Sequence, residues 1–192
     1  FLSSMSHDLR TPLSGVLGFT EFALKEKDPE KKQEYLEKID AAGKLLLDLV
    51  NDTLELSRIE SGKAALNEQT ILSDDLIPTV VTALRPSAEL KNIHLVSDLE
   101  ADASLPIWCD KLKCQKIALN LISNAIKYTP EGGTVSVSLK PLPTDVPGCK
   151  MSFIVEDNGI GMSEEFMKQM YEPFAQEKRS ETQKVPGTGL GL

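Results

Sequence analysis

The sequence is poor in the residues that several function classes require. It holds only three cysteines, Cys109, Cys114 and Cys149. An odd, sparse set builds no disulfide framework, and the gaps fit no zinc site. The thiols read as reduced and structural. Histidine occurs only at His7 and His94, too few for a metal site built on imidazoles. No apolar run approaches the roughly 20 residues of a membrane span. Positive charge is in deficit: the formal net charge is −8, which disfavours non-specific binding to a phosphate backbone. No G-K-[ST] occurs, so there is no Walker loop. No internal repeat or low-complexity tract is present. No signal peptide is visible, and the chain opens on Phe1 rather than Met, so it reads as cut from something longer. That leaves room for a cytoplasmic protein or the cytoplasmic part of a membrane-anchored parent.

The 192 residues suffice for one large domain or two small ones, and at 41% apolar content a buried core can form. Two helices come first. From Met5, apolar residues recur at Leu9, Leu13, Val16 and Phe19, which is helical spacing. "KEKDPEKK" then interrupts. Asp28, Pro29 and Glu30 make a helix start: a capping carboxylate, a first-turn proline and an acid at the positive end. The second helix is expected to run to about Ser61. Ile39, Leu46 and Thr53 fall seven apart, as do Ala42, Leu49 and Leu56, giving a heptad seam. Leu45, Leu47, Val50 and Leu54 widen the apolar face beyond a two-helix contact. The expectation is a hairpin that pairs with a second copy into a four-helix bundle.

"ESGK" at 60–63 marks a hinge, and the pattern then changes. A helix is expected near Leu72 to Leu90, with Pro78 and Pro86 counting against it. "NIHLVSDL" and "TVSVSLK" alternate as strands do, and "KMSFIVEDNG" reads as a buried strand ending in a turn. Asp110 to Tyr128 reads as one helix, and "PLPTDVPG" as a loop between paired strands. Mixed helices and strands predict an α/β layer with helices on one sheet face.

"SMSHDLRTPL" carries the first chemistry. At about 100° per residue, His7 falls roughly 200° around the helix from Met5, while Leu9, Leu13 and Val16 stay on the Met5 side. His7 is therefore expected to face outward, near Thr11 and Ser14. Taken alone, an exposed histidine is an ordinary surface residue. Asp8 changes its meaning: a carboxylate that accepts one ring proton fixes the tautomer and leaves the other nitrogen nucleophilic. Pro12 deprives the carbonyl of Asp8 of its helical donor and bends the helix there.

"NLISNAIKYT" places Asn120 and Asn124 four apart on one helix face, with Lys127 three further on. Amide oxygens suit Mg²⁺ and a lysine suits phosphate. Leu119, Ile122 and Ile126 are expected on the core side. In "VEDNGIGM", Asp157 ends a strand and can accept from an exocyclic amine such as that of adenine. Gly159 and Gly161 permit close backbone approach. "GTGLGL" ends the chain with Gly187, Gly189 and Gly191, whose N–H groups can cradle phosphate. Each motif alone is also consistent with ordinary surface or turn. The segment between the last two, with "YEPFAQEKRS", could form a lid latched by Phe174. His94 and Trp108 read as structural.

Together and in this order, the motifs resemble those of the sensor histidine kinases of two-component signalling, over nearly the whole chain. "SHDLRTPL" is similar to the H box, "NLISNAIKYT" to the N box, "DNGIG" to the G1 box, "YEPFAQ" to the F box and "GTGLGL" to the G2 box. The resemblance implies a dimerisation and phosphotransfer hairpin over residues 1–62, then a Bergerat-fold ATP-binding domain over 63–192. That second domain would be incomplete at its C-terminus, since the family continues past Leu192 with a helix and strands. The resemblance further implies His7 as phosphoacceptor, Asp8 as its base and Thr11 as the site of the dephosphorylating water. Asn124 would hold Mg²⁺ with Asn120 assisting, Lys127 would reach the phosphates, Tyr128 would lie along the nucleoside, and Asp157 would read adenine. Gly159 and Gly161 would shape the pocket, with Phe174 beside the lid. Gly187, Thr188, Gly189, Leu190 and Gly191 would close onto the phosphates. The implied partners are a second copy and a response regulator receiver domain, without nucleic acid or membrane contact. Two other readings stand beside this one. The first is a dimeric phosphorelay or interaction module of the same fold with weak catalysis. The second is an ATPase of the gyrase and heat-shock chaperone superfamily, for which "SHDLRTP" on a hairpin has no purpose.

Overall fold

The computed structural model describes residues 2–99, 106–141, 151–177 and Gly189. They fall into two compact units. The first is the N-terminal hairpin through Ala65, with which Glu172–Ala175 and Gly189 group; the second begins at Leu66.

The hairpin consists of α1 (Leu2–Lys25) and α2 (Pro29–Glu60). Its turn is built as the sequence dictates. Asp28 Oδ1 accepts from the Glu30 amide at 3.0 Å, and Pro29 opens the helix where a missing N–H is harmless. Glu26 Oε1 accepts from the Lys27 and Asp28 amides at 2.9 and 3.0 Å, which holds its carboxyl below the ordinary range. Phe19 stacks on Tyr35 with ring centroids 6.3 Å apart, and Phe22 lies 5.7 Å from the same ring. Along the heptad seam Leu49 is buried and Ile39, Ala42, Leu46, Thr53 and Leu56 are half-buried. Leu45, Leu47, Val50 and Leu54 remain exposed. Gly62, at φ +66°, ends the turn that follows α2.

In the second unit, β1 (Gln69–Leu72) pairs antiparallel with β3 (Pro106–Cys109). A separate three-stranded sheet has β4 (Thr134–Pro141) at its centre, parallel to β2 (His94–Leu99) and antiparallel to β5 (Met151–Asp157). Helices α3 (Ile77–Leu90) and α4 (Lys111–Tyr128) bury their apolar faces with the sheet, and α5 (Glu164–Met167) is a single turn. The core joins Ile77, Val80 and Val81 to Ile122 and Ile126 and to Val135 and Val137. Ile122, Val135 and Val137 are fully excluded from water, each worth about 1.5–3 kcal/mol of transfer free energy.

Two local expectations change. The helix expected from Leu72 starts only at Ile77; before it lie strand β1 and a 3₁₀ turn over Ser73–Asp75. Ile71 faces inward because it pairs with Ile107, a contact distant in sequence. Pro78 sits in the first turn of α3, where no N–H is needed, and Pro86 lies within the continuous helix. Leu119 is 43% exposed, and Ala118 takes the core position beside Ile122. Trp108 is 65% exposed on the outer face of β3. The "PLPTDVPG" loop lies beyond the described residues after Pro141.

Helix α4 begins on Asp110. Its Oδ1 accepts from the Lys113 amide at 3.1 Å and its Oδ2 from the Asn67 amide at 2.9 Å. The Asn67 N–H above all, with that of Lys113, holds this carboxyl below its ordinary range. A depressed carboxyl contributes stability that is complete above its ordinary pKa and is lost as pH falls through the depressed value. Asp110→Asn keeps a capping oxygen but removes the charge. It is expected to melt lower than wild type at pH 7, and the gap should close as pH falls below about 4, read by thermal melts across pH.

Candidate functional site

His7, Asp8 and Thr11 all lie on α1; the His7 side chain lies outside the described set. His7 and Thr11 are about one helical turn apart along α1. Asp8 is half-buried, Thr11 is exposed and Pro12 is buried inside an unbroken helix. Pro12 itself has no N–H to donate within the helix.

The amide motif lies in the second half of α4. Ala118, Ile122, Ala125 and Ile126 face the core, which leaves Asn120, Asn124, Lys127 and Tyr128 half-buried at its margin. Lys127 Nζ stands 4.9 Å from the Tyr128 ring centroid, a cation–π arrangement.

The last turn of a helix presents four carbonyls without intrahelical donors. In α4 each has a partner. The Thr129 amide bonds Ala125 O at 3.0 Å, and the Ile160 amide bonds Tyr128 O at 3.2 Å. Lys91 Nζ, arriving from the turn after α3, donates to Ile126 O at 2.9 Å and to Lys127 O at 2.6 Å. Burial lowers the Lys91 pKa from its ordinary value.

Ile160 belongs to the glycine turn after β5, so this turn and the end of α4 are one joint. Asp157 Oδ1 accepts from the Gly159 amide at 2.9 Å, closing an Asx turn that fixes the carboxylate. A side chain at Gly159 has no room: its Cβ would fall 2.6 Å from both Tyr128 O and Asp157 Oδ1. Asn158 Oδ1 accepts from the Thr134 amide at 2.8 Å and ties the turn to the start of β4. Gly161 adopts φ +62°, a conformation suited to glycine.

Phe174 and Gly189 meet at a second place. The Phe174 amide donates to Gly189 O at 2.8 Å, and both residues have positive φ, +66° and +69°. A Cβ at Gly189 would stand 2.6 Å from the Phe174 carbonyl carbon. Gly187, Thr188, Leu190 and Gly191 lie outside the described residues, as does most of the segment expected to form a lid. The structure thus joins the helix bearing Asn120, Asn124, Lys127 and Tyr128 to the turn bearing Asp157, Gly159 and Gly161. It joins Phe174 to Gly189 separately. Among the described residues no three His, Cys, Asp or Glu side chains gather as a metal cluster, and no helix is long and apolar enough to cross a membrane.

Sequence reasoning missed Lys91 and the Asn67–Asp110 bond. Asp110 before an apolar-periodic run is a readable cap signal. Lys91 has no local signal, because its partners belong to another helix.

Comparison with known proteins accords with this arrangement. Residues 1–62 match the His Kinase A (phospho-acceptor) domain, and residues 109–192 match the histidine kinase-, DNA gyrase B- and HSP90-like ATPase family. The chain belongs to the sensor histidine kinases. Sensor protein GacS of Pseudomonas syringae pv. syringae is 36% identical over 192 residues, covering the whole chain and 21% of GacS. Autoinducer 2 sensor kinase/phosphatase LuxQ of Vibrio harveyi is 34% identical over 195 residues, covering the whole chain and 22% of LuxQ. Full-length ShkA, solved with AMPPNP, superposes with a TM-score of 0.68 at 29% identity, over 99% of this chain and 38% of ShkA. The chain therefore spans about a fifth of the length of these curated relatives. A helical hairpin followed by an α/β sheet unit is the histidine kinase architecture.

Gly159→Ala tests the joint. The methyl group must push the turn away from Tyr128 O and break the Ile160 bond. The variant is expected to remain folded by circular dichroism but to melt lower, by about 1–3 kcal/mol. An unchanged melting temperature would contradict the contact.

Proposed function

We propose that the chain is the catalytic core of a sensor histidine kinase, which phosphorylates His7 from ATP and passes the phosphoryl group to an aspartate of a response regulator receiver domain. The joint between the last turn of α4 and the glycine turn after β5, in a chain whose first helix carries His-Asp, chiefly supports this. The proposed parts are a phosphotransfer hairpin over 1–62 and an ATP-binding domain over 63–192, joined through Ser61–Lys63.

Imidazole, with an ordinary pKa near 6.5, is largely neutral at cytosolic pH and offers an unprotonated nitrogen. That nitrogen attacks the γ-phosphorus; an N–P bond forms, the bond to the β-phosphate oxygen breaks, and ADP leaves. Asp8 orients the ring, stabilises the imidazolium that forms and, as base, accepts the proton from its other nitrogen. In the second step a receiver carboxylate oxygen attacks phosphorus and the N–P bond breaks. Thr11, one turn from His7, would position water for dephosphorylating the regulator.

The donor set suits nucleotide and Mg²⁺. Asn124, with Asn120 beside it, offers amide oxygens at a half-buried margin, as Mg²⁺ prefers. The metal would neutralise charge on the phosphates. Lys127 would neutralise more, Tyr128 would lie along the nucleoside, and the fixed Asp157 carboxylate would accept from the adenine amine. Gly159 and Gly161 would bring backbone against the base. Gly187–Gly191 would close on the phosphates beside Phe174. Positioning and charge neutralisation supply most of the rate in such transfers. The exposed Leu45, Leu47 and Leu54 of α2 would be covered by a second copy, giving a four-helix bundle. We place the module in the cytoplasm, beside ATP and the regulator.

Labelling of the full-length protein with radioactive ATP and Mg²⁺ tests the proposal. His7→Gln should abolish acid-labile label. Asn124→Asp should lower it at least roughly 10-fold with the fold intact. Label retained by His7→Gln would overturn the role of His7.

A further inference from the structure

We propose that Lys91 is a positioning residue of the nucleotide site: its ammonium sets the last turn of α4 and so the placement of Asn124, Lys127 and Tyr128. The inference rests on the kinase reading above and adds a residue remote from the sequence motifs.

Helices commonly end on a left-handed glycine whose amides satisfy the final carbonyls. This helix does not. Its C-cap, Thr129, is extended at φ −86° and ψ 130°, and Pro130 follows without an N–H. The Ile126 and Lys127 carbonyls therefore need a donor from elsewhere, and Lys91 Nζ is bonded to both. A cation at this end also faces the negative pole of the helix.

Lys91 is carried to that place by its own turn. The Lys91 and Ile93 amides bond Ala88 O at 3.2 and 2.8 Å, and Asn92 takes a left-handed φ of +51°. The same turn holds the segment after α4 at further points. Asn92 Nδ2 donates to Glu131 Oε1 at 2.7 Å, the Gly132 amide donates to Asn92 O at 3.2 Å, and the His94 amide donates to Gly133 O at 2.9 Å. The turn is thus anchored on both sides of Thr129, and Lys91 is the member that grips the helix itself. One residue beyond its last contact, Tyr128 O carries the glycine turn of Asp157. A shift of this last turn moves the residues proposed to hold nucleotide and leaves the hairpin histidine untouched. Loss of Lys91 should therefore weaken ATP binding more than the transfer step.

The test compares Lys91→Met, Lys91→Gln and Lys91→Arg in the full-length protein. His7 labelling is followed against ATP concentration, together with the Kd of AMPPNP. Lys91→Met, which has a similar stem and no donor, should raise the half-saturating ATP concentration and the Kd roughly five- to tenfold, with the maximal rate within about twofold. Lys91→Arg should restore most of the affinity. Should Lys91→Met fail to fold, Lys91→Gln decides, with raised half-saturation supporting the proposal and unchanged half-saturation overturning it. Unchanged affinity in a folded Lys91→Met, an equal fall in maximal rate, or no rescue by Arg would each overturn it. Wild-type protein that bound no AMPPNP would overturn the kinase reading as well, whereas binding unaltered in Lys91→Met defeats the Lys91 inference alone.

Discussion

The carbonyl of Tyr128 is where the two motif-bearing parts of the candidate site meet. It accepts from the Ile160 amide and lies 2.6 Å from where a Cβ on Gly159 would stand. One oxygen therefore dictates glycine at 159 and sets the distance between a helix of amides and a turn holding a carboxylate. The rest of the unit maintains that distance. Asp110 fixes the start of α4, Lys91 its end, and Asn158 ties the turn to β4. The buried stripe of Ile122 and Ile126 prevents rotation of the helix, which would carry Asn120 and Asn124 off the margin.

The hairpin answers a different constraint. Its seam buries Leu49, and the Phe19–Tyr35–Phe22 cluster closes the end near the turn. A large apolar remainder stays in water, and two helices cannot cover it between them. The other helix, α1, carries His7 and Pro12, a residue with no N–H to donate.

Much of the fold was legible, because long elements declare themselves through period and caps. The Asp28–Pro29 start, the heptad seam and the Asp110–Tyr128 helix lie where pattern put them. The short strands β1 and β3 were not legible. Each has four residues, and each is stabilised by a partner distant in sequence rather than by its own alternation. Leu119 was placed in the core because helical phase cannot distinguish its stripe from that of Ala118 when both flank Ile122. In the site, motif order named the residues, but the joint between them was hidden. Main-chain bonds from Ile160 to Tyr128, and the reach of Lys91 into another helix, leave no mark on local pattern.

Amide hydrogen exchange at Ile160, with and without AMPPNP, tests the central claim most directly. A turn bonded to Tyr128 O and poised to receive nucleotide should protect this amide in the free protein, and AMPPNP should slow its exchange further. Exchange of Ile160 at the rate of an unstructured peptide, unaltered by nucleotide, would contradict the account.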